Sequence, residues 1–558
     1  MEDLNLGDYL PAEVVEQAGL TVKTNANGSV TVGKEKKKAS QVIVEAAEAI
    51  KNTYHVKTLV SDGLMKTYVL RDNYYEMLPQ DPNVAKNVLF STIRMEEIHP
   101  KPAFIDANTA KKIYDTIQMN STDITMEAGD DIIYIGNGTY WDRQTGILTP
   151  NPDLAHNCFH HLCDTSSDSN TVPKIDIEDL DIDTILECAR RAKQDIAEYE
   201  EDPEHNTYPE RFDTTISVWA NHRNYLYVDI LKMMAGPLMK KLPPYAFFLV
   251  GSTGRNGKST LAHLVSTIYG VNNCAYVRSG QLSSWDYNNA LVGKMVNAPD
   301  ENDQDQKTVF GNADFKSMAV HDAITLRKKN GQPFTMRANF ECIFPMNEEP
   351  SWNDLDPALI KRLIILTFDN DLSKSDRLVE NFEHKTFTPE FLSQIIGELL
   401  GIAQYYSDPY EPDRKLYFSK EALATQKAYL EEHANVERFE QEFSMCFGMI
   451  ASKKLVGKIY ERWCETNELT PESKSRLDTV FTQKFYNHRG NEVVDGMMKT
   501  IYKNPDSSAK SRILYGSTPV TSSQNQDTRT VDEWLEIGQD PVSLMLFQYN
   551  QNKLMSGR

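Results

Sequence analysis

The chain's densest chemistry lies in Gly254-Arg255-Asn256-Gly257-Lys258-Ser259-Thr260. This stretch follows the apolar run Phe247-Phe248-Leu249-Val250-Gly251 and precedes Leu261, Leu264, Val265 and Ile268 at helical spacing. Strand, glycine turn and helix, in that order, form a receptor for polyphosphate. Glycines let backbone N–H groups close around the phosphates, and the N-terminus of the following helix turns its positive end toward them. Lys258 is expected to reach the β- and γ-phosphates as a point charge, and the Ser259 hydroxyl to ligate Mg²⁺. The implied cofactors are ATP and Mg²⁺. Strict spacing puts the first glycine where Ser252 stands, with Gly251 one step early. Either the turn holds one extra residue or Ser252 takes that position.

Hydrolysis at such a loop needs one carboxylate to hold the Mg²⁺ shell and another to orient the attacking water. Asp300 and Glu301 close the apolar run Ala290–Pro299 about forty residues after Lys258 and fit those roles, with Asp303 in reserve. A third apolar strand, within Ala338–Glu348, ends at Asn347, an amide able to hold the water or the γ-phosphate. Arg362 stands just before a fourth strand, where a guanidinium delivered to a neighbouring subunit's γ-phosphate would stabilise transition-state charge. Between them, Ile324–Arg337 reads as a hairpin whose basic tip, Arg327-Lys328-Lys329, suits contact with a phosphate backbone.

The elements that must position these groups are less explicit. Helical spacing is expected over 39–50, 110–118, 212–242, 419–432 and 436–450, and a hairpin with Asn-Gly and Thr-Gly turns over Ile132–Leu148. His156-Asn157-Cys158-Phe159-His160-His161-Leu162-Cys163 has metal-ligand residue types, but the spacing is too crowded for paired zinc knuckles and reads as a structural cluster. The acids Asp176, Glu178, Asp179, Asp181 and Asp183 could suggest a primase metal site; at a helix start they serve the helix dipole instead. Trp219, Tyr225, Leu231, Met234 and Leu238 read as core, and Lys34-Glu35-Lys36-Lys37-Lys38 as a solvated face.

The order of motifs resembles one family. Gly-x-Asn-Gly-Lys-Ser-Thr (254–260), Gly-Lys-apolar…Asp-Glu (293–301), Phe-Lys-Ser…Asp-x-Ile-Thr-x-Arg (315–327), apolar…Asn (343–347) and Leu-Ile-Lys-Arg-Leu…Phe (359–368) resemble the superfamily 3 helicases, closest to the phage, plasmid and poxvirus primase-helicase group. The likeness extends upstream through Asn137-Gly138…Asp142…Thr145-Gly146-Ile147-Leu148 and downstream through Ile459–Pro471, covering about residues 130–515. It implies an AAA+ P-loop ATPase core, a ring that is usually a hexamer, and ATP-driven movement on single-stranded DNA, typically 3′ to 5′. It assigns Lys258 and Ser259 to phosphate and Mg²⁺, Asp300 and Glu301 to the acidic pair, Asn347 to sensing, Arg362 to a neighbour's nucleotide, and Lys328 and Lys329 to DNA. His321-Asp322 departs from the Gly-Asp of many relatives.

At 558 residues the chain exceeds one core, and 40% hydrophobic with 25% charged residues suits a globular protein. No run is long enough to span a membrane, and Met-Glu-Asp-Leu-Asn opens no signal peptide. Seven scattered cysteines favour a reducing cytoplasm, with a bacterial host cell implied by the family, and a net charge of −21 argues against coating nucleic acid over the whole surface. The expected fold class is α/β: an AAA+ core with an α+β N-terminal region and a C-terminal winged-helix-like domain. The segments are 1–130 (accessory), 131–235 (helicase-associated, mostly helical with a hairpin), 236–415 (ATPase core), 416–515 (helical/winged helix) and 516–558 (flexible linker and tail). About 130 residues before the likeness are short for an archaeal-type primase, so a helicase without primase activity is expected. Expected partners are single-stranded and forked DNA, further copies of the chain, and other replication proteins. The competing readings are an origin-binding initiator whose ATPase controls assembly, a primase-helicase with a cryptic primase region, and a signalling or defence ATPase.

Overall fold

The computed structural model describes most of residues 39–467, except 62–63, 72, 80–81, 96–106, 121, 124–130, 164–174, 252–254, 279–280, 283–287, 300–308, 311, 328–332, 353–356, 373–380, 434 and 445–449, with short pieces outside that range from 22 to 514. The fold is mixed α/β and divides into two compact units. The first comprises residues 1–307, 314–350 and 364–422; the second comprises 308–313, 351–363 and 423–558.

In the first unit the N-terminal region folds on its own apolar residues. Helices Ala39–Thr53 and Ala107–Asn120 pack together through Ala46, Ile50, Ile113 and Ile117. Beside them stands a four-stranded sheet in the order Tyr75–Met77, Leu64–Leu70, Lys57–Ser61, Thr122–Asp123. The two helices match the spacing of their apolar residues and run a few positions beyond the expected ends.

The Asn-Gly hairpin forms as expected. Ile132–Gly136 pairs with Thr139–Asp142, and Asn137 and Gly138 take φ of 46° and 67°, the left-handed pair a two-residue turn between twisted strands requires. Ile147–Pro150 extends it, and His160–His161 adds a parallel fourth strand. Asp176 and Asp181 cap helical starts, Asp181 accepting from the N–H groups of Asp183 and Thr184 at the head of α1 (Ile182–Glu201). The helix expected over 212–242 is broken into α2 (Ile216–Trp219) and α3 (Asn224–Ala235). Between them Asn221 and His222 adopt φ of 54° and 55°, which no α-helix tolerates. Further on, α5 (Pro389–Tyr406) lies against α1 at backbone distance: a Cβ on Gly397 would stand 2.5 Å from the Ile185 oxygen, and one on Gly401 2.4 Å from that of Ala189.

The core is a five-stranded parallel sheet: β1 (Ala246–Val250), β2 (Cys274–Ala275), β3 (Val296–Asn297), β4 (Glu341–Met346) and β5 (Leu363–Thr367), in the spatial order β2-β3-β4-β1-β5. Both faces of β1 and β4 are covered, so their residues are buried without alternation. The sequence indicated four strands here; β2 is the fifth, two residues long and without an apolar run to mark it. Helix α4 (Lys258–Tyr269) follows β1 and buries Leu261, Leu264, Val265 and Ile268. The hairpin of Ala323–Arg327 and Pro333–Arg337 is antiparallel, with Phe334 and Met336 buried alternately.

The second unit packs helices Asn435–Ser444 and Lys453–Thr466 around Phe439, Tyr460 and Trp463. Its sheet runs Tyr486–His488, Ile501–Lys503, Ile450–Ser452, Ile513–Leu514. The helix expected to reach 450 gives way to the strand beginning at Ile450. Among the described residues of both units, no helix is long and apolar enough to cross a membrane.

Candidate functional site: the glycine loop at the sheet's switch point

Leaving β1, the chain runs past β4 and β3 to the far edge of the sheet, where β2 lies. Leaving β4, it crosses to the opposite side of β1, where β5 lies. The carboxyl ends of these neighbouring strands therefore send their connections in opposite directions, and such a switch point opens a crevice for a ligand. Val250 pairs with Met346 at the last register position, so Gly251 and Asn347 step out of the sheet side by side. The Gly251 N–H donates to the Met346 oxygen at 3.2 Å. The structure thus brings Asn347, half-buried, to the same strand ends as the glycine loop.

Two glycines carry the loop's geometry. A Cβ on Gly251 would lie 2.2 Å from the Phe368 oxygen and 2.4 Å from Asn256 Nδ2, so the close-approach position belongs to Gly251, the residue one step early. Gly257, at φ 92°, caps α4; a Cβ there would meet the Trp219 ring at 2.4 Å. Arg255 is left-handed at φ 59° and exposed, and its carbonyl accepts from the Leu372 N–H at 3.1 Å.

Lys258, the first residue of α4, is 3% exposed. Its Nζ donates to the Gly251 oxygen at 2.7 Å and to Asn256 Oδ1 at 2.9 Å. Asn256, also 3% exposed, donates through Nδ2 to the Phe368 oxygen at 3.3 Å and the Gly251 oxygen at 3.4 Å. The amide expected among the nucleotide contacts is turned inward as a strut between the ends of β1 and β5. Ser259 and Thr260 are half-buried on the first turn of α4.

The other expected residues fall as follows. Gly254, Asp300, Glu301, Lys328 and Lys329 lie outside the described residues. β3 leads toward the acidic pair, and buried Asn297 fixes that strand end by accepting from the Val277 N–H at 2.8 Å and donating to its oxygen at 3.0 Å. Arg327 closes its strand of the basic hairpin, opposite Pro333. Arg362 belongs to the second unit and immediately precedes β5, its N–H donating to the Leu359 oxygen at 2.9 Å. His321 takes φ 57°, a left-handed position that glycine fills freely, and its ring faces two carbonyls: Nδ1 stands 2.8 Å from that of Ala338, and Nε2 2.8 Å from that of Pro243.

The neighbours of the loop come from segments distant in sequence that no local pattern ties to it. Trp219, expected as core, is the floor under Gly257 and meets Phe382 edge-on at 6.2 Å. Arg223 forks onto Asp369 at 3.1 and 2.9 Å and reaches the Thr367 oxygen at 2.9 Å, holding the end of β5 to the α2–α3 turn. Asn370 Nδ2 donates to the Val218 oxygen at 2.6 Å in the same seam. The His/Cys stretch supports α4 from its far end: His160 Nδ1 lies 2.8 Å from Asn273 Oδ1, Asn273 Nδ2 donates to the His161 and Tyr269 oxygens, and the Cys163 N–H donates to that of Ile268.

Glu341 opens β4. It is fully buried, and neither carboxylate oxygen has a hydrogen-bond partner among the described residues. It stands at the end of β4 away from the loop, where burial pushes its carboxyl well above the usual carboxylate range.

A family model described as "Family of unknown function (DUF5906)" matches residues 249–362, from the last residues of β1 to Arg362. No curated protein matches the chain. Among solved structures, the chain is similar to the A form apo structure of the NrS-1 C-terminal region at 11% identity and TM-score 0.35, over 85% of this chain and 100% of that one. A second apo structure of that region (305–718) gives 13% identity and TM-score 0.36 over 84% and 99%. Likenesses of that size leave the chemistry to the chain's own residues.

Proposed function

We propose that the chain is an ATP-hydrolysing DNA helicase of a replication system, built on an AAA+ core of the superfamily 3 kind and working as a ring on single-stranded and forked DNA. The observation that carries this reading is the buried Lys258 at the head of α4, folded back on a glycine loop at the switch point between β1 and β4. An interior loop strand with a further strand on its far side suits an AAA+ core, and Asn347 beside Gly251 suits a γ-phosphate sensor. In this reading ATP is held by the loop's N–H groups, Lys258 and Thr260; Mg²⁺ is held by Ser259 and Asp300, with Glu301 on the attacking water. Arg362 serves a neighbouring copy, and Arg327, Lys328 and Lys329 grip the DNA backbone.

The test is unwinding of forked DNA with ATP. Lys258→Ala is expected to lose ATP hydrolysis and unwinding together, because phosphate charge is left without its counter-ion. Lys328→Ala/Lys329→Ala is expected to lose unwinding while retaining basal hydrolysis. A native protein that hydrolyses ATP but opens neither fork polarity would move the assignment to an initiator whose ATPase controls assembly.

A further inference from the structure

Asn256 sits inside the phosphate loop by sequence and outside it by geometry. Its side chain is 3% exposed, between the ends of β1 and β5, and its two polar atoms have divided duties. Nδ2 reaches the Phe368 and Gly251 carbonyls, while Oδ1 accepts from Lys258 Nζ at 2.9 Å. Phe368 is 112 residues away and immediately follows β5, so the amide is anchored from the sheet. The ammonium it receives is equally buried. A buried ammonium without acceptors is costly. A neutral amide oxygen and the Gly251 carbonyl are acceptors that a polyphosphate can displace, because hydrogen bonds between full charges are the stronger kind.

We infer that Asn256 is a positioning residue that tethers the Lys258 ammonium until a nucleotide phosphate takes it, rather than a nucleotide contact. The inference deepens the proposed ATP site and rests on that reading. Its consequence runs by linkage: whatever stabilises the nucleotide-free state alone subtracts from apparent affinity. The strut from Nδ2 to Phe368 holds in both states and cancels, whereas the tether to Lys258 exists only in the nucleotide-free one.

The experiment has two arms on the full chain. In the nucleotide-free protein, thermal unfolding of the native chain, Asn256→Ala, Lys258→Met and the double variant forms a cycle. The expected result is non-additivity: Asn256→Ala lowers Tm markedly when Lys258 is present and less when Met replaces it. Additive losses would overturn the tether. In the second arm, mant-ATP affinity is compared for the native chain and Asn256→Ala. The expected result is binding tighter by about tenfold or more in the variant, since a hydrogen bond to a charged group is relieved of competition. A purely structural amide leaves affinity unchanged and a direct nucleotide contact weakens it; either outcome overturns the inference. A non-additive cycle in a native protein that binds no mant-ATP keeps the tether and removes the nucleotide site.

Discussion

Gly257→Ala tests the loop geometry most directly. The substitution adds one methyl group at φ 92°, a conformation costing an L-residue about 1–2 kcal/mol. The new Cβ would stand 2.4, 2.6 and 2.9 Å from Cδ1, Cγ and Nε1 of Trp219. Ordinary carbon contacts begin near 3.5 Å, so the indole must retreat by about 1 Å. It has little room: Trp219 is 3% exposed and held edge-on by Phe382. Overpacking of that kind costs about 1–3 kcal/mol, for a total of about 2–5 kcal/mol. In a unit of this size that lowers Tm by roughly 2–6 °C, measurable by circular dichroism or differential scanning fluorimetry. The steric part is separable. In a Trp219→Leu background the same glycine change should cost only its backbone share, so the double variant should lie about 1–3 kcal/mol above additivity. A Gly257→Ala protein melting within a degree of the native one, or strict additivity with Trp219→Leu, would refute the reasoning.

Two further outcomes follow from buried carboxyls. Glu341→Met should raise stability by about 1–3 kcal/mol by removing an acid whose oxygens have no partner among the described residues. Because burial holds the folded carboxyl above its unfolded value, its contribution is most favourable below the unfolded pKa and is lost as pH rises toward the folded one. The native-minus-variant stability difference should therefore fall between acid and neutral pH in urea titrations; a flat difference argues against a raised Glu341 carboxyl. Arg211→Met should cost about 3 kcal/mol, since Glu398, 1% exposed and 2.7 Å from Arg211 Nη1, keeps Tyr208 but loses its counter-ion. Burial already raises the Glu398 carboxyl, and removing the cation raises it further, so this loss should shrink as pH falls. A loss independent of pH would point to packing instead.

The legible parts of the fold share one physical property. β1, β4 and β5 are continuous apolar runs because both faces of the sheet are covered, and each run ends where Gly251, Asn347 or the segment after Thr367 leaves it. Their order in space and the neighbourhood of Asn347 with the loop are tertiary facts; the spacing of motifs could only suggest them. β2 was invisible because two residues make no pattern. The break at Asn221–His222 was invisible because neither Gly nor Pro marks it; the left-handed pair is fixed by bonds such as that from the His222 N–H to the Ser217 oxygen at 2.8 Å. Asn256 looked like a ligand contact because it lies among loop residues. Its inward turn depends on the Phe368 carbonyl, which local pattern cannot report.

The His/Cys stretch has a mechanical meaning. The Tyr75 N–H donates to the Cys158 oxygen at 2.7 Å, Phe159 stacks on Tyr75 at 5.0 Å, and Tyr74 stacks on His161 at 4.1 Å. The other side of the same stretch holds the last turn of α4 through Asn273 and the Ile268 carbonyl. Residues 158–163 therefore splice the N-terminal sheet to the far end of the helix whose near end carries Lys258. Contacts made by the N-terminal sheet are thus relayed through one short stretch to the last turn of α4. Cutting the chain at residue 130 would strip rings from Phe159 and His161 together. The shortened protein would have an exposed aromatic seam on residues 159–161, while His161, Cys163 and Asn273 still hold the last turn of α4.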